Sequence, residues 1–338
     1  MRSVVWDPRR TRVFAVGVLR YPDGEHWPVA GRRDAVLLAT LHARGVPAEN
    51  IVFITDGDAT VASVRARFDA HLAASGPEDT LWCYFAGHGL REKGIGSFAL
   101  YDGPWAHAEL FSTIERRFRG HSAILTADAC FSGNLAVQAP IRAGRVAYAA
   151  LTSSLSTAIS TSEWTFTDCL IAGLEGRLAV DGDGDGALRL SELAAWTERR
   201  MAAIDGQLSS FVTTNGFTPE LVLGPAVRKE HPSVGEVMLA RHEGDWLKVT
   251  VRAVRGDAVT VHWHGYDDSQ DSIVSARDVR PWIPTHHPPG TPVEALSEGR
   301  WYPATVLAHR GGMHLIHYTQ YDASWDEWLA PERLRVSG

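Results

Sequence analysis

No apolar run in this 338-residue chain reaches the roughly 20 residues that a membrane-crossing helix needs, so no membrane span is expected. A secretory leader is not expected either, because charged residues within positions 7–12 interrupt the apolar N-terminus. Cysteine is scarce. Cys83, Cys130 and Cys169 are its three occurrences, and an odd count cannot form a fully paired disulfide framework. This suits a reducing compartment, and the cytoplasm is the expected location. Positive charge is short as well: 33 Lys and Arg face 40 Asp and Glu, a formal charge of -7. A nucleic-acid surface needs the opposite balance, so neither nucleic acid nor membrane is an expected partner.

What is present has the composition of an ordinary globular protein, 45% hydrophobic and 22% charged, with length enough for two or three domains. Apolar runs at positions 13–19, 51–54, 81–86, 123–127 and 146–151 have strand length. Between them lie residues at helical spacing: Leu38 and Leu41 after Asp34; Val61, Val64, Phe68 and Leu72 after a Thr60 cap; Leu110, Ile114 and Phe118. A further helix opens at Phe166-Thr167, and a last short strand is expected at 221–223. Strands alternating with helices predict an α/β fold, a mostly parallel sheet between helices.

Two of these strands end in chemistry. Residues 81–86 run into Gly87-His88-Gly89, and residues 123–127 into Asp128-Ala129-Cys130-Phe131-Ser132-Gly133. In an open parallel sheet the working groups collect beyond the carboxyl ends of the strands, which brings His88 and Cys130 toward one crevice. An imidazole beside a thiol lowers its pKa or takes its proton, so the pair reads as a Cys-His nucleophilic dyad. A buried structural thiol near an unrelated loop histidine is the blander alternative. Cys83 and Cys169 fall in apolar or helical runs and are expected as small buried hydrophobes. His26, His107 and His121 belong to no motif, so surface or loop positions are expected for them.

With the segment at 13–19, Asp34-Ala35 opening a helix, and Phe166-Thr167, these motifs resemble the caspase and metacaspase group of cysteine peptidases, clan CD, and in particular its prokaryotic metacaspase-like members. The resemblance covers residues 1–229 and implies a caspase-like fold and an endopeptidase acting on protein substrates. It implies backbone N–H groups of Gly89 and Cys130 as the oxyanion hole. It places Asp128 and Asp34 in the S1 pocket, and two carboxylates there favour cleavage after Arg, with Lys second. Arg142 and Arg145, between Cys130 and the next strand, are candidate processing sites. The sequence departs from the family at Ala86 and Phe131; of a metacaspase calcium cluster, Asp102 fits and Val137 does not. The setting implied is a prokaryotic defence or cell-death protease cascade. A degenerate caspase-like scaffold that works only through its C-terminal part is the competing function.

Asp181-Gly-Asp183-Gly-Asp185-Gly-Ala187-Leu-Arg189-Leu-Ser-Glu192 has the spacing of an EF-hand calcium loop. The ligands would be Asp181, Asp183, Asp185, the Ala187 carbonyl and a bidentate Glu192, with Arg189 at the ninth place. A polar turn capping the next helix explains the same residues without a metal. No cofactor is required for the thiol chemistry; calcium is the one candidate.

After a linker at 230–234 the chain repeats itself. An offset of 55 carries Gly235 onto Gly290, Glu243-Gly-Asp-Trp246 onto Glu298-Gly-Arg-Trp301, and Val261 to Asp267 onto Ile316 to Asp322 without a gap. Two copies of one small β-barrel are expected, at 235–282 and 290–338, joined by a linker at 283–289. The second resembles the Tudor-knot, or chromo-barrel, family, whose aromatic cage for a methylated lysine maps onto Tyr302, Tyr318, Tyr321 and Trp325; packing of these four in the barrel core is the alternative. The first copy has Leu247, Trp263, Tyr266 and Gln270 there, and core packing is the expectation for its aromatics. With 10 Lys and Arg against 14 Asp and Glu from Gly235 onward, a protein or peptide ligand is expected rather than nucleic acid.

Overall fold

The computed structural model describes residues 4–22, 32–156, 164–177, 180–214, 216–226, 232, 234–282 and 285–336. His26 and parts of both expected linkers lie outside them. The first part of the chain runs β1 (Thr11–Gly17), α1 (Arg33–Ala43), β2 (Ile51–Thr55), α2 (Val61–Ala73), β3 (Thr80–Ala86), β4 (Gly89–Glu92), β5 (Ile95–Leu100), β6 (Gly103–Ala106), α3 (His107–Arg117), β7 (Ser122–Asp128), α4 (Asn134–Arg142), β8 (Ala147–Thr152), α5 (Thr165–Leu174), β9 (Ala187–Arg189), α6 (Leu190–Asp205), β10 (Ser210–Thr213) and β11 (Val222–Pro225).

Six strands form one sheet in the order β10-β8-β7-β3-β1-β2, parallel throughout except for the edge strand β10. Its central strands are buried on both faces, which is why they read as unbroken apolar runs. Alternate residues feed two cores. Val13, Ala15, Trp82 and Tyr84 pack with α1, α5 and α6; Phe14, Val16, Cys83 and Phe85 pack with α2, α3 and α4. Thr60 caps α2 by accepting the Ser63 N–H at 3.2 Å, and Gly206 ends α6 in the left-handed region.

Four features differ from the sequence expectation. The segment with Arg142 and Arg145 is helical through Arg142, because Asn134, Leu135 and Ala139 give α4 one buried face. A three-stranded antiparallel unit, β4-β5-β6, follows His88, and β10 adds an edge to the main sheet. Phe118 lies just past α3 with extended backbone and caps it.

The C-terminal part holds two antiparallel five-stranded sheets. The first contains β12 (Val237–His242), β13 (Asp245–Arg255), β14 (Ala258–Trp263), β15 (Ser272–Ser275) and β16 (Val279–Pro281); the second contains β17 (Pro292–Ser297), β18 (Arg300–Arg310), β19 (Met313–Tyr318), β20 (Glu327–Leu329) and β21 (Leu334–Val336). Their strand orders, β15-β14-β13-β12-β16 and β20-β19-β18-β17-β21, are the same, and each module closes around its own small core. Among the described residues, no helix is long and apolar enough to cross a membrane.

Candidate active site

The two singled-out loops leave neighbouring strands. β3 and β7 pair in parallel with Ala86 opposite Asp128, so His88 and Cys130 each lie two residues past a strand end. Their backbones meet. A Cβ built on Gly89 would fall 1.7 Å from the Cys130 carbonyl oxygen and 3.3 Å from its Cα, so glycine is required there. The Gly87 N–H donates to the Asp128 carbonyl at 3.2 Å, tying the first loop to the second strand. The His88 N–H donates to Tyr21 Oη at 2.9 Å, and the two rings lie 4.8 Å apart. Tyr21 in turn donates to the Ala99 carbonyl at 3.1 Å, so it fixes the His88 backbone between β1 and β5. Sequence reasoning passed over Tyr21, whose one signal is an aromatic just beyond a strand.

Cys130 sits in a tight turn closed by the Ser132 N–H donating to the Ala129 carbonyl at 3.3 Å. Phe131 has φ +55°, a left-handed conformation that costs a bulky residue on the order of 1–3 kcal/mol and must be held by its surroundings. The end of β8 holds it. Ser153 Oγ accepts the Ala129 N–H at 3.1 Å; Ser154 Oγ accepts the Ser132 N–H at 3.1 Å and donates to the Ala129 carbonyl at 2.9 Å. Cys130 is half-buried, whereas Cys83 and Cys169 are buried and have their thiol pKa values pushed up by burial, that of Cys169 to about 12. Thiolate chemistry is accessible to Cys130 alone. His107, expected at the surface, is instead 1% exposed: its ring lies 4.4 Å from that of Phe98 and its Nδ1 faces Asn134 Oδ1 at 3.1 Å, tying α3 to α4.

The two candidate S1 carboxylates flank a small floor. Gly17, Ala86 and Asp128 stand side by side at the ends of β1, β3 and β7, about 10 Å across at ordinary strand spacing. Asp34 hangs over Gly17, whose missing Cβ would overlap Asp34 Oδ2 at 2.1 Å. Both carboxylates are fully buried, yet their surroundings differ. Asp34 accepts its neighbour's Ala35 N–H at 2.8 Å and Arg32 Nη2 at 2.8 Å, and Arg32 also reaches Asp56 at 2.6 Å. Asp128 accepts from Thr167, from Oγ1 at 2.7 Å and N–H at 3.3 Å, and its Oδ1 has no partner among the described residues. Burial raises the Asp128 pKa from 3.8 to about 7, hydrogen bonds from Thr167 and Ser153 opposing it.

No family model matches the chain, and no curated protein matches it at a significant level. Solved structures do match. Protein GSU0716 from Geobacter sulfurreducens aligns at 16% identity over 63% of this chain and 97% of its own, with a TM-score of 0.48. Caspase-1 from Spodoptera frugiperda aligns at 13% identity over 66% of this chain and 92% of its own, with a TM-score of 0.44.

The remaining candidate residues are placed as follows. Arg142 is exposed at the end of α4, while Arg145 is anchored, its guanidinium donating to the carbonyls of Gly120, at 2.8 Å, and Phe118. Asp102 caps α2, accepting the Val61 N–H at 2.6 Å. In the acidic loop, Asp181, Asp183 and Asp185 hold their carboxylates within 4.8 Å of one another. The guanidinium of Arg189 faces the oxygens that calcium would take: Asp185 Oδ2 at 2.5 Å, the Ala187 carbonyl at 3.4 Å, Asp183 Oδ2 at 3.5 Å and Glu192 Oε2 at 3.7 Å. The ninth residue already supplies a cation there, so the loop fits calcium only with Arg189 displaced.

In the second module four aromatics converge. Tyr302, Tyr318 and Tyr321 stand 6.0–6.3 Å apart at interplanar angles of 71–84°, three walls of a box, and Trp325 lies 5.5 Å from Tyr321. Tyr321 and Trp325 are 43% and 59% exposed, so the box opens to solvent. Glu327 accepts the Tyr318 hydroxyl at 2.6 Å beside it. Tyr318 is itself core, 5% exposed, as is its counterpart Trp263 in the first module at 4%; Tyr266 stands out into solvent.

Proposed function

We propose that this protein is a cysteine endopeptidase that cleaves proteins after arginine, with lysine second. The observation that supports it most is the contact of the Gly89 backbone on the Cys130 turn, which sets the imidazole-bearing and thiol-bearing loops at one sheet edge. In this reading the Cys130 thiolate attacks the scissile carbonyl, and N–H groups of Gly89 and Cys130 receive the oxyanion. His88 gives a proton to the leaving amine, and water then cleaves the acyl-enzyme. Asp128, whose buried Oδ1 has no partner among the described residues, receives the P1 guanidinium; Asp34 contributes less because Arg32 already neutralises it. The box on the second module is proposed to take a methylated lysine of a protein partner, its ring faces meeting the cation. Calcium in the 181–192 loop is proposed only in competition with Arg189.

The test is hydrolysis of paired fluorogenic peptides with P1 Arg or P1 Asp, beside Cys130→Ala. Cleavage of the Arg peptide that vanishes in Cys130→Ala supports the reading; preference for P1 Asp overturns the pocket, and activity surviving in Cys130→Ala overturns the nucleophile. The pH dependence sharpens it. Below pH 7 Asp128 is largely protonated, so KM for the Arg peptide is expected to fall as pH rises through about 7. Because the folded pKa lies above the ordinary 3.8, protonation of Asp128 stabilises the fold at low pH, and that contribution is lost as pH rises through about 7. Asp128→Asn is therefore expected to lose Arg cleavage yet melt higher than wild type at pH 8, by an amount on the order of a few kcal/mol that vanishes toward pH 4.

A further inference from the structure

Among the described residues the second module meets the peptidase body at α6, the loop after it and Leu155, and Leu155 lies behind the Cys130 turn. The turn rests on residues 154 and 155: a Cβ built on Gly133 would fall 2.5 Å from the Ser154 carbonyl oxygen and 2.6 Å from the Leu155 carbonyl carbon. The segment behind it is held from the loop between α6 and β10. Gln207 Nε2 donates to the Ser153 carbonyl at 2.7 Å, and Ser210 Oγ donates to the Ser154 carbonyl at 3.1 Å. That loop is gripped in turn by the second module. Arg310 donates to the Ser209 carbonyl at 3.2 Å and pairs with Glu198 of α6 at 2.5 Å. Met313, 1% exposed, is buried with Ala202 and Leu208, and Leu155, Trp328 and Ala330 pack against the three. Leu155 thus has its backbone under the nucleophile turn and its side chain in a core shared with the second module. The first module does not use the matching position, since Ala258, in the place of Met313, is exposed; it meets α6 through β12 and Gly235, beside Arg200, instead.

We infer that the second module buttresses the active site: Met313 and Arg310 are positioning residues that hold the Cys130 turn through Leu155 and Ser154. This rests on the proposed peptidase reading and goes beyond recruitment, since a module that only tethers a partner has no effect on a substrate it does not touch. A turn strained at Phe131 needs rigid support, and a small displacement of a nucleophile costs much of its rate.

The experiment uses the full chain with Met313→Ala, Met313→Leu, Arg310→Ala and, as a control at an exposed position of the same module, Val336→Ala. The substrate is a P1 Arg tripeptide amide without lysine, which gives the box nothing to hold. For Met313→Ala and Arg310→Ala kcat is expected to fall about tenfold with KM within about twofold, Met313→Leu to restore it, and Val336→Ala to match wild type. Alkylation of Cys130 by iodoacetamide is read in parallel, because it needs no turnover and the other two thiols are buried; its rate is expected to shift about threefold or more in the two Ala variants. Wild-type kcat and alkylation in Arg310→Ala and Met313→Ala overturn the buttress. If the wild-type chain cleaves no peptide, the peptidase reading fails, while an alkylation shift still supports the buttress and an unchanged rate removes it.

Discussion

The two C-terminal modules share one frame and differ in what they do with it. The offset of 55 carries every strand of the first onto a strand of the second, and the bulge at Val251/Ala253 onto that at Val306/Ala308. Glu243 and Glu298 both take positive φ in the same turn, and His262–Asp271 and His317–Asp326 pair at the same 2.7 Å. Two of the side-chain differences change what the module presents. One is in the box, where Leu247 and Gln270 replace two aromatics; the other is the first residue of the third strand, exposed Ala258 against buried Met313. The backbone of a small antiparallel module therefore does not decide its role. A few side chains at its rim give the second copy an aromatic box and, through Met313 and Arg310, its own hold on the α/β body.

The contrast in docking is the easiest to break. Met313→Asp would bury a carboxylate against Ala202 and Leu208 and is expected to cost about 3 kcal/mol or more, read as a lower melting temperature of the full chain. Ala258→Asp, at the matching exposed position, is expected to stay within about 0.5 kcal/mol. Similar losses for both would mean that the second module is no better seated than the first. A smaller effect concerns the box. Tyr321→Ala is expected to weaken binding of a trimethyllysine peptide about tenfold, by calorimetry, and Tyr266→Ala in the first module to change nothing. Leu247→Tyr combined with Gln270→Trp would complete four aromatics in the first copy, and a second binding event of comparable strength is then expected.

Much of this was legible in the sequence, and the reasons for the rest are physical. The parallel strands announced themselves because burial on both faces leaves them uniformly apolar, and the modules because an ungapped repeat preserves the turn glycines Gly235/Gly290, Gly244/Gly299 and Gly256/Gly311. The box was legible because its four residues keep a spacing that the strand register converts into proximity. α4 was not, since Pro140 sits inside it and it is short. Edge strand β10, four half-buried residues long, carries no alternation to detect. Hardest of all were the two arginines. That Arg32 spends itself on Asp34, and Arg189 on the acidic loop, depends on where long flexible side chains come to rest, and residue type at a spacing says nothing of that.

The smallest expected effect separates frame from ornament. Arg280 lies over the Trp246 ring at 4.2 Å and Arg335 over Trp301 at 4.3 Å, the same stacking in each copy. Among the described residues only the second arginine has an acidic partner, Glu294 at 2.7 Å, because the first copy has Leu239 there. Such a half-exposed ion pair adds at most a few tenths of a kcal/mol, and the stacking about 0.5–1 kcal/mol. Arg335→Ala is accordingly expected to cost slightly more than Arg280→Ala, with the excess shrinking as salt is raised. In a Glu294→Gln background the two costs should become equal. If they remain unequal there, the shared frame is not energetically shared, and the two copies have diverged in their cores as well as at their rims.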